Sequence, residues 1–401
     1  MNNQLSIAVN IELGRAHGRA LIEGFASVAM QHPEWNPKLV GSSDLTKAKK
    51  LDGYDAFLVR IMDSRTAATL AATGKPVVDL YGRHATSGNA NRRHLQHKSF
   101  SIVNIDDRAV ATTAAEYFLE HRFTRIAYCG FPGIRFSDDR GRLFADALAA
   151  HGLSVTAYAG TPGISDTFFL SEKTDRIPDL AALVKWLKTF KGEPIAVFCC
   201  NDLRAFQLSQ AAAKAELTIP ADLALLGVDH DTAICTFATP PLSSLDTDAV
   251  TLGRLAAHKL EALLSKRGQT PFQRGQTPTV DWGQTPNEKP IIKVIERVST
   301  DFYQFKTSYL SEAISFIKHN LSGGVNADEV FRYLGKSHTA VEHAFRNELG
   351  HGVGEEIRHR RLALAQRLKA YGGLTLSEIA HRAGYSSPQY LCRSLSEAAE
   401  D

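Results

Sequence analysis

Asn201-Asp202, Asp229-His230-Asp231 and Arg140 each follow an apolar run or a loop, and together they offer carboxylates, an amide and a guanidinium. These are the groups a neutral polyol needs, since each hydroxyl both donates and accepts and a fork-shaped guanidinium fixes orientation. Tyr81 and Phe136 could stack on the apolar face of a sugar ring, and Asn10, Arg15, His17 and Arg19 lie where the chain leaves its first strand. Each has a plainer reading. Asn201 or Asp229 could cap the helix that follows a strand, Arg140 could be a surface ion pair and His17 a surface side chain. His230, between two aspartates, invites an acid/base role, but at a strand end of a binding lobe it fits a ligand contact or its support better.

Such residues need strands that end together. From Leu5 to about Leu264 short β-branched runs alternate with amphipathic helical stretches, the pattern of a doubly wound parallel sheet. Leu5–Val9, Ala56–Val59, Pro76–Leu80 and Ser101–Val103 suit a first lobe. Arg125–Cys129, Ser154–Tyr158, Pro194–Cys199 and Leu223–Val228 suit a second. A ligand would sit between the lobes, at the carboxyl ends of their strands. The apolar helices Ala20–Met30 and Thr66–Ala72 could cover the core or form a dimer face.

The last eighty residues change character. Two helix-turn-helix patterns, Ala327–Glu348 and Leu376–Glu397, follow one another. In the first, Gly335 turns the chain and Ser337 can cap the next helix; in the second, Gly384 turns it and Pro388 takes a first helical position. Ser337, His338, Thr339, Glu342, His343 and Arg346 of the first unit, with Ser387, Gln389, Tyr390 and Arg393 of the second, would face base edges or phosphates. A long helix from Val353 to Ala370 joins the units.

Both turns, the joining helix with Arg360-Arg361-Leu362-Ala363-Leu364-Ala365, and the pairs Ile379-Ala380 and Gly384-Tyr385 resemble the AraC family of transcription activators. That family continues past its last recognition helix, whereas this chain stops at Asp401, so Leu391 and Leu395 are expected to be uncovered and DNA contact through the second unit weak. The earlier part resembles the sugar domain of LacI-type repressors and periplasmic sugar-binding proteins, through Arg140, Asn201-Asp202, Gly227-Val228-Asp229 and Pro241–Leu245 before Gly253. Thr247 stands where the repressors often carry a ligand-facing Gln.

The resemblances imply a two-lobed α/β sugar-sensing domain over residues 1–298, followed by an all-α double helix-turn-helix domain over 299–401. They imply an activator that binds a pentose, D-xylose, at Arg140, Asn201, Asp202 and Asp229, with Arg19 and Tyr81 added. Its partners would be double-stranded DNA with repeated half-sites, a second copy of the chain in a homodimer, and RNA polymerase. Two alternatives share the architecture: a sugar binder with a defective DNA-binding tail, and a regulator sensing another sugar. A small sugar enzyme is a third.

Composition bounds these readings. The 401-residue chain has room for two or three domains. Its net charge is +3, and twelve Lys/Arg balance twelve Asp/Glu from Asp301 onward, so any DNA affinity must come from local geometry more than bulk charge. Five cysteines, mostly in apolar runs, read as buried thiols of a reduced, cytoplasmic protein. The first strand begins at Leu5 without a basic stretch before it and no apolar run approaches twenty residues, so neither secretion nor membrane spanning is expected. No nucleophile elbow, zincin motif, phosphate loop or zinc-spaced cysteine pair occurs, so catalysis, a metal and a cofactor are not expected. Residues 267–287 repeat Gly-Gln-Thr-Pro three times and read as a tolerated loop expansion.

Overall fold

The computed structural model describes residues 4–81, 99–160, 177–265, 289–371 and 374–400. The Gly-Gln-Thr-Pro repeat lies outside them. A first sheet contains β1 (Leu5–Asn10), β2 (Trp35–Leu39), β3 (Ala56–Val59), β4 (Val77–Asp79) and β5 (Phe100–Ile102), all parallel, in the order β2-β1-β3-β4-β5. Every residue of β3 is buried. Helices on both faces explain why such strands read as unbroken apolar runs and not as alternating ones.

The second sheet contains β6 (Ile126–Cys129), β7 (Val155–Ala157), β8 (Ile195–Cys199), β9 (Leu223–Val228), β10 (Ser243–Asp246) and β11 (Lys293–Ile295), in the order β11-β10-β9-β8-β6-β7. Only β11 is antiparallel to its neighbour. The strands expected from sequence all form. Trp35–Leu39 and Ser243–Asp246 do not read as strands from sequence, because one carries a proline on the sheet edge and three of the other's four residues are serine or aspartate.

Among the described residues the helices of the two lobes are α1 (Ala16–Ala29), α2 (Ser42–Leu45), α3 (Ala48–Leu51), α4 (Ser64–Ala72), α5 (Asp107–Glu120), α6 (Arg135–Ala149), α7 (Leu180–Leu187), α8 (Asp202–Ala215), α9 (Thr232–Phe237) and α10 (Ala249–Ser265). After β5 the chain crosses to the second lobe, where α5 packs in one core with α6 and β6. After β10 it returns, and α10 joins Leu21, Phe25 and Val28 of α1 in the first lobe's core. Two glycines permit that return. A Cβ on Gly253 would stand 2.1 Å from the Leu21 carbonyl oxygen, and one on Gly24 1.9 Å from that of Val250. The inner face of α1 is therefore core cover.

Among the described residues the later helices are α11 (Ser308–His319), α12 (Ala327–Leu334), α13 (His338–Leu349), α14 (Val353–Tyr371), α15 (Leu376–Arg382) and α16 (Pro388–Glu400). Asn326 with Glu329 and Thr375 with Glu378 form capping boxes that start α12 and α15, each satisfying two backbone donors at the helix N-terminus. Gly335 takes a φ of +60° to end α12, and Ser337 accepts from the Ala340 amide to start α13. One core gathers Leu310, Ile314, Val330, Phe331, Val341, Phe345 and Val353; a second gathers Ala365, Ile379, Ala380, Ala383, Tyr385 and Leu391. Between them Gly384, at φ +76°, brings its backbone against the Leu321 carbonyl.

Two expectations need correction here. Leu391 is fully buried, because α16 turns it into the second core; only Leu395 is left on an open depression of about 510 Å³, beside Leu374, Leu376 and Ile379. Cys392, which lines the same depression, is exposed while the other four cysteines are buried. Cys199 and Cys200 fall in separate cores on opposite faces of the sheet, as adjacent strand residues should.

Candidate functional site

β9 ends in an unusual turn. Asp229 and His230 take φ values of +100° and +49°, conformations that cost non-glycine residues roughly 1–3 kcal/mol each. Three hydrogen bonds hold the turn: the Asp229 amide to the Leu245 carbonyl at 2.9 Å, the His230 amide to Ser244 Oγ at 3.0 Å and the Asp231 amide to Asp202 Oδ2 at 2.7 Å. The half-buried Asp229 carboxylate at this turn lies within electrostatic range of Arg15 and His17 of the first lobe and of Arg140 of the second.

Arg140 reaches this place from α6. Its side chain is 3% exposed, so the surface ion-pair alternative fails. It donates from Nε and Nη2 to Asp107 Oδ1 at 3.0 and 2.7 Å and from Nη1 to the Cys200 carbonyl, with its guanidinium 5.8 Å from the Phe136 ring centre. Burial alone would lower its pKa, but Asp107 and then Asp229 hold it above its ordinary value. Asp107, in the first turn of α5, was missed in the sequence. An acid after a crossover looks like any helix-start acid until Arg140 is placed beside it.

The first lobe contributes through the start of α1. His17 is buried, and its Nδ1 bonds to no other group among the described residues. Burial lowers its pKa against the pull of Asp229, so its ring is neutral and can donate or accept. The Ala16 amide donates to Asp231 Oδ2 at 3.4 Å, so the lobes touch here. Arg19, in contrast, is exposed and donates to the Leu13 carbonyl at 2.8 Å; Arg15 is the arginine of this loop drawn to Asp229. Thr247, at the return crossing, has a buried Oγ1 with no partner among the described residues.

Asn201 and Asp202 serve the scaffold. Asn201 caps α8 through the Arg204 amide at 2.9 Å. Asp202 is buried behind the turn it holds, and burial, then Asp229, raises its pKa well above the carboxylate range. Tyr81 is buried at the end of β4 with the Arg60 guanidinium 5.6 Å from its ring centre, and Asn104 Nδ2 donates to its carbonyl at 2.9 Å.

In the helical part His338, Thr339, His343, Arg346, Gln389, Tyr390 and Arg393 are exposed on α13 and α16. Ser337 and Ser387 spend their hydroxyls as caps, on the Ala340 and Tyr390 amides. Glu342 is half-buried and accepts from the Val353 amide at 3.4 Å, at the start of α14. His351, Glu356 and His359 bring donor atoms within 4.8 Å of one another, close enough for a metal ion. Both Glu356 oxygens are already taken, one by His351 Nε2 at 2.7 Å and the other by Arg360 Nε at 2.5 Å, so Glu356 is held in an ion-pair network with His351 and Arg360 at the start of α14.

A model of periplasmic binding protein-like domains matches residues 115–285, and one of helix-turn-helix domains matches residues 330–399. The xylose operon regulatory protein of Escherichia coli K12 is 24% identical over 390 residues, covering 96% of this chain and 92% of that protein. Its counterpart from Haemophilus influenzae is 21% identical, covering 96% and 93%. The chain is homologous to the xylose operon regulatory proteins. A solved xylose-binding transcription activator shares the fold over 99% of this chain and 96% of its own, with a TM-score of 0.57 at 22% identity. This homologue of the xylose operon regulators thus has the organisation of a sugar-responsive transcription regulator. Among the described residues no helix is long and apolar enough to cross a membrane.

Proposed function

We propose that this chain is a D-xylose-responsive transcription activator, with residues 1–298 as sensor and 299–401 as reader. The observation that carries the reading is the strained turn at Asp229, where one carboxylate lies within electrostatic range of Arg15, His17 and Arg140 from two lobes. In this reading those four side chains and Thr247 bind the sugar hydroxyls, Phe136 lies beside the ring, and Asn201 and Asp202 shape the turn. Closure of the lobes on the sugar shifts the population of reader orientations, by no more than the difference in sugar affinity between the two states. His338, Thr339, His343 and Arg346 then meet one half-site, and Gln389, Tyr390 and Arg393 the next. The protein works in the cytoplasm as a homodimer, meets RNA polymerase at its promoter and does not turn the sugar over.

Thermal unfolding against a panel of pentoses and hexoses tests this. Ligand at a hundredfold its Kd stabilises by about 2.7 kcal/mol. Stabilisation by D-xylose is the expected result. A shift with a different sugar alone would favour the second reading, the same regulator tuned to another ligand, which Thr247 motivates. No shift with any sugar would sink the sensor assignment.

A further inference from the structure

Helix α5 runs from the cleft to the reader. Asp107 at its start holds Arg140, and its far end, about 20 Å away at 1.5 Å per residue, meets the segment that leads into the reader. There the Tyr117 hydroxyl bonds Thr300 Oγ1 at 2.7 Å. The His121 ring, 2% exposed, stacks on Tyr303 with centroids 4.2 Å apart and planes 13° from parallel. Tyr303 is itself 4% exposed, and the Arg360 guanidinium of α14 stands 4.8 Å from its ring centre and donates to its hydroxyl at 2.9 Å. Arg360 is fixed in turn by Glu356. Burial, then Lys318, lowers the His121 pKa to about 3, so the stack is neutral against neutral at working pH.

The loop after α5 grips the reader a second time. The Arg122 guanidinium donates to the Glu348 carbonyl, at the end of α13, at 2.7 Å, while the Glu348 carboxylate accepts from the Lys306 and Thr307 amides at 2.7 and 2.8 Å. The Gln304 amide closes the set on the His121 carbonyl at 3.1 Å. The first recognition helix and the joining helix are therefore both tied to one end of α5, whose other end lies in the sugar site.

We propose that Tyr303, clamped between His121 of the sensor and Arg360 of the joining helix, is the joint through which the sensor sets the angle of the reader. This rests on the sensor-and-reader assignment above. Sugar engaging Arg140 alters its hold on Asp107, α5 shifts as a rigid rod, and the stacked rings carry the shift into α14. Tyr303 is a positioning residue and touches neither sugar nor DNA.

The test compares the full chain with Tyr303→Phe, which keeps the stack and loses the bond to Arg360, and with Tyr303→Ala and His121→Ala. D-xylose affinity is measured by calorimetry, and affinity for a duplex selected by the wild-type chain from a random pool is measured with and without the sugar. Wild type should show a sugar effect on DNA affinity of roughly 5- to 150-fold. Tyr303→Phe should lower that ratio at least threefold at unchanged sugar affinity, and the alanine variants should abolish it. An unchanged ratio in all three overturns the joint. Thermal unfolding without ligand gives a second, independent readout: sensor and reader should melt together in wild type and in two steps in Tyr303→Ala. A single shared step in that variant overturns the joint even where neither ligand binds, a result that would sink the functional reading separately.

Discussion

Replacing Asp229 with glycine separates the cost of the turn from its use. Asp229 sits at φ +100°, and glycine enters that region freely, so the change relieves about 1–2 kcal/mol of strain. Glycine also loses about 0.5–1 kcal/mol more backbone entropy on folding, so the net effect on stability should stay within about 1 kcal/mol of zero. The three bonds that hold the turn come from the backbone amides of residues 229, 230 and 231 and survive the substitution. Sugar binding should not survive it so well. A hydrogen bond to a charged group contributes about 1.5–3 kcal/mol, which corresponds to a Kd raised roughly 10- to 150-fold. Denaturant unfolding and titration calorimetry on the same preparation read both quantities. A Kd within threefold of wild type, or a stability loss above about 3 kcal/mol, would refute the reasoning, since the carboxylate would then be idle or part of the scaffold.

Two further outcomes follow from the packing. Asp202 has its pKa raised by burial and by Asp229, so its protonated form is favoured by folding; that contribution is complete below about pH 3.9 and is lost as pH rises toward the raised value. Asp202→Asn, a mimic of the protonated acid, should equal or exceed wild type in stability at pH 7, with the advantage shrinking toward pH 4 in unfolding curves; a variant less stable at pH 7 than at pH 4 relative to wild type would contradict this. Gly253→Ala would push a methyl to 2.1 Å from the Leu21 carbonyl oxygen and force α10 off α1, at a cost of about 1–3 kcal/mol and a Tm several degrees lower, and an unchanged melting curve would show that this contact is not tight.

The chain's local patterns determined a good deal by themselves. Apolar runs of four to six residues gave the parallel strands, because a strand buried on both faces has no polar side to show. Gly335, Ser337, Gly384 and Pro388 marked both turns of the reader, because left-handed backbone and helix starts are set by single residue types. Arg140 and Asp229 were legible as candidate contacts from their positions after loop and strand.

Tertiary structure decided what those residues do. Asn201, Asp202 and Glu342, read from sequence as candidate contacts, each accept from a backbone amide in the fold, because an acceptor near a helix start or tight turn meets the unpaired N–H groups there. Arg15, His17 and Asp107 gained weight only when two crossings of the chain placed α1 and α5 on either side of the turn at Asp229. The clamp on Tyr303 joins residues 121, 303 and 360, and no local periodicity connects positions so far apart. Spacing along the chain records which element forms. Which side chains meet depends on how the elements pack, and that is set by the whole core at once.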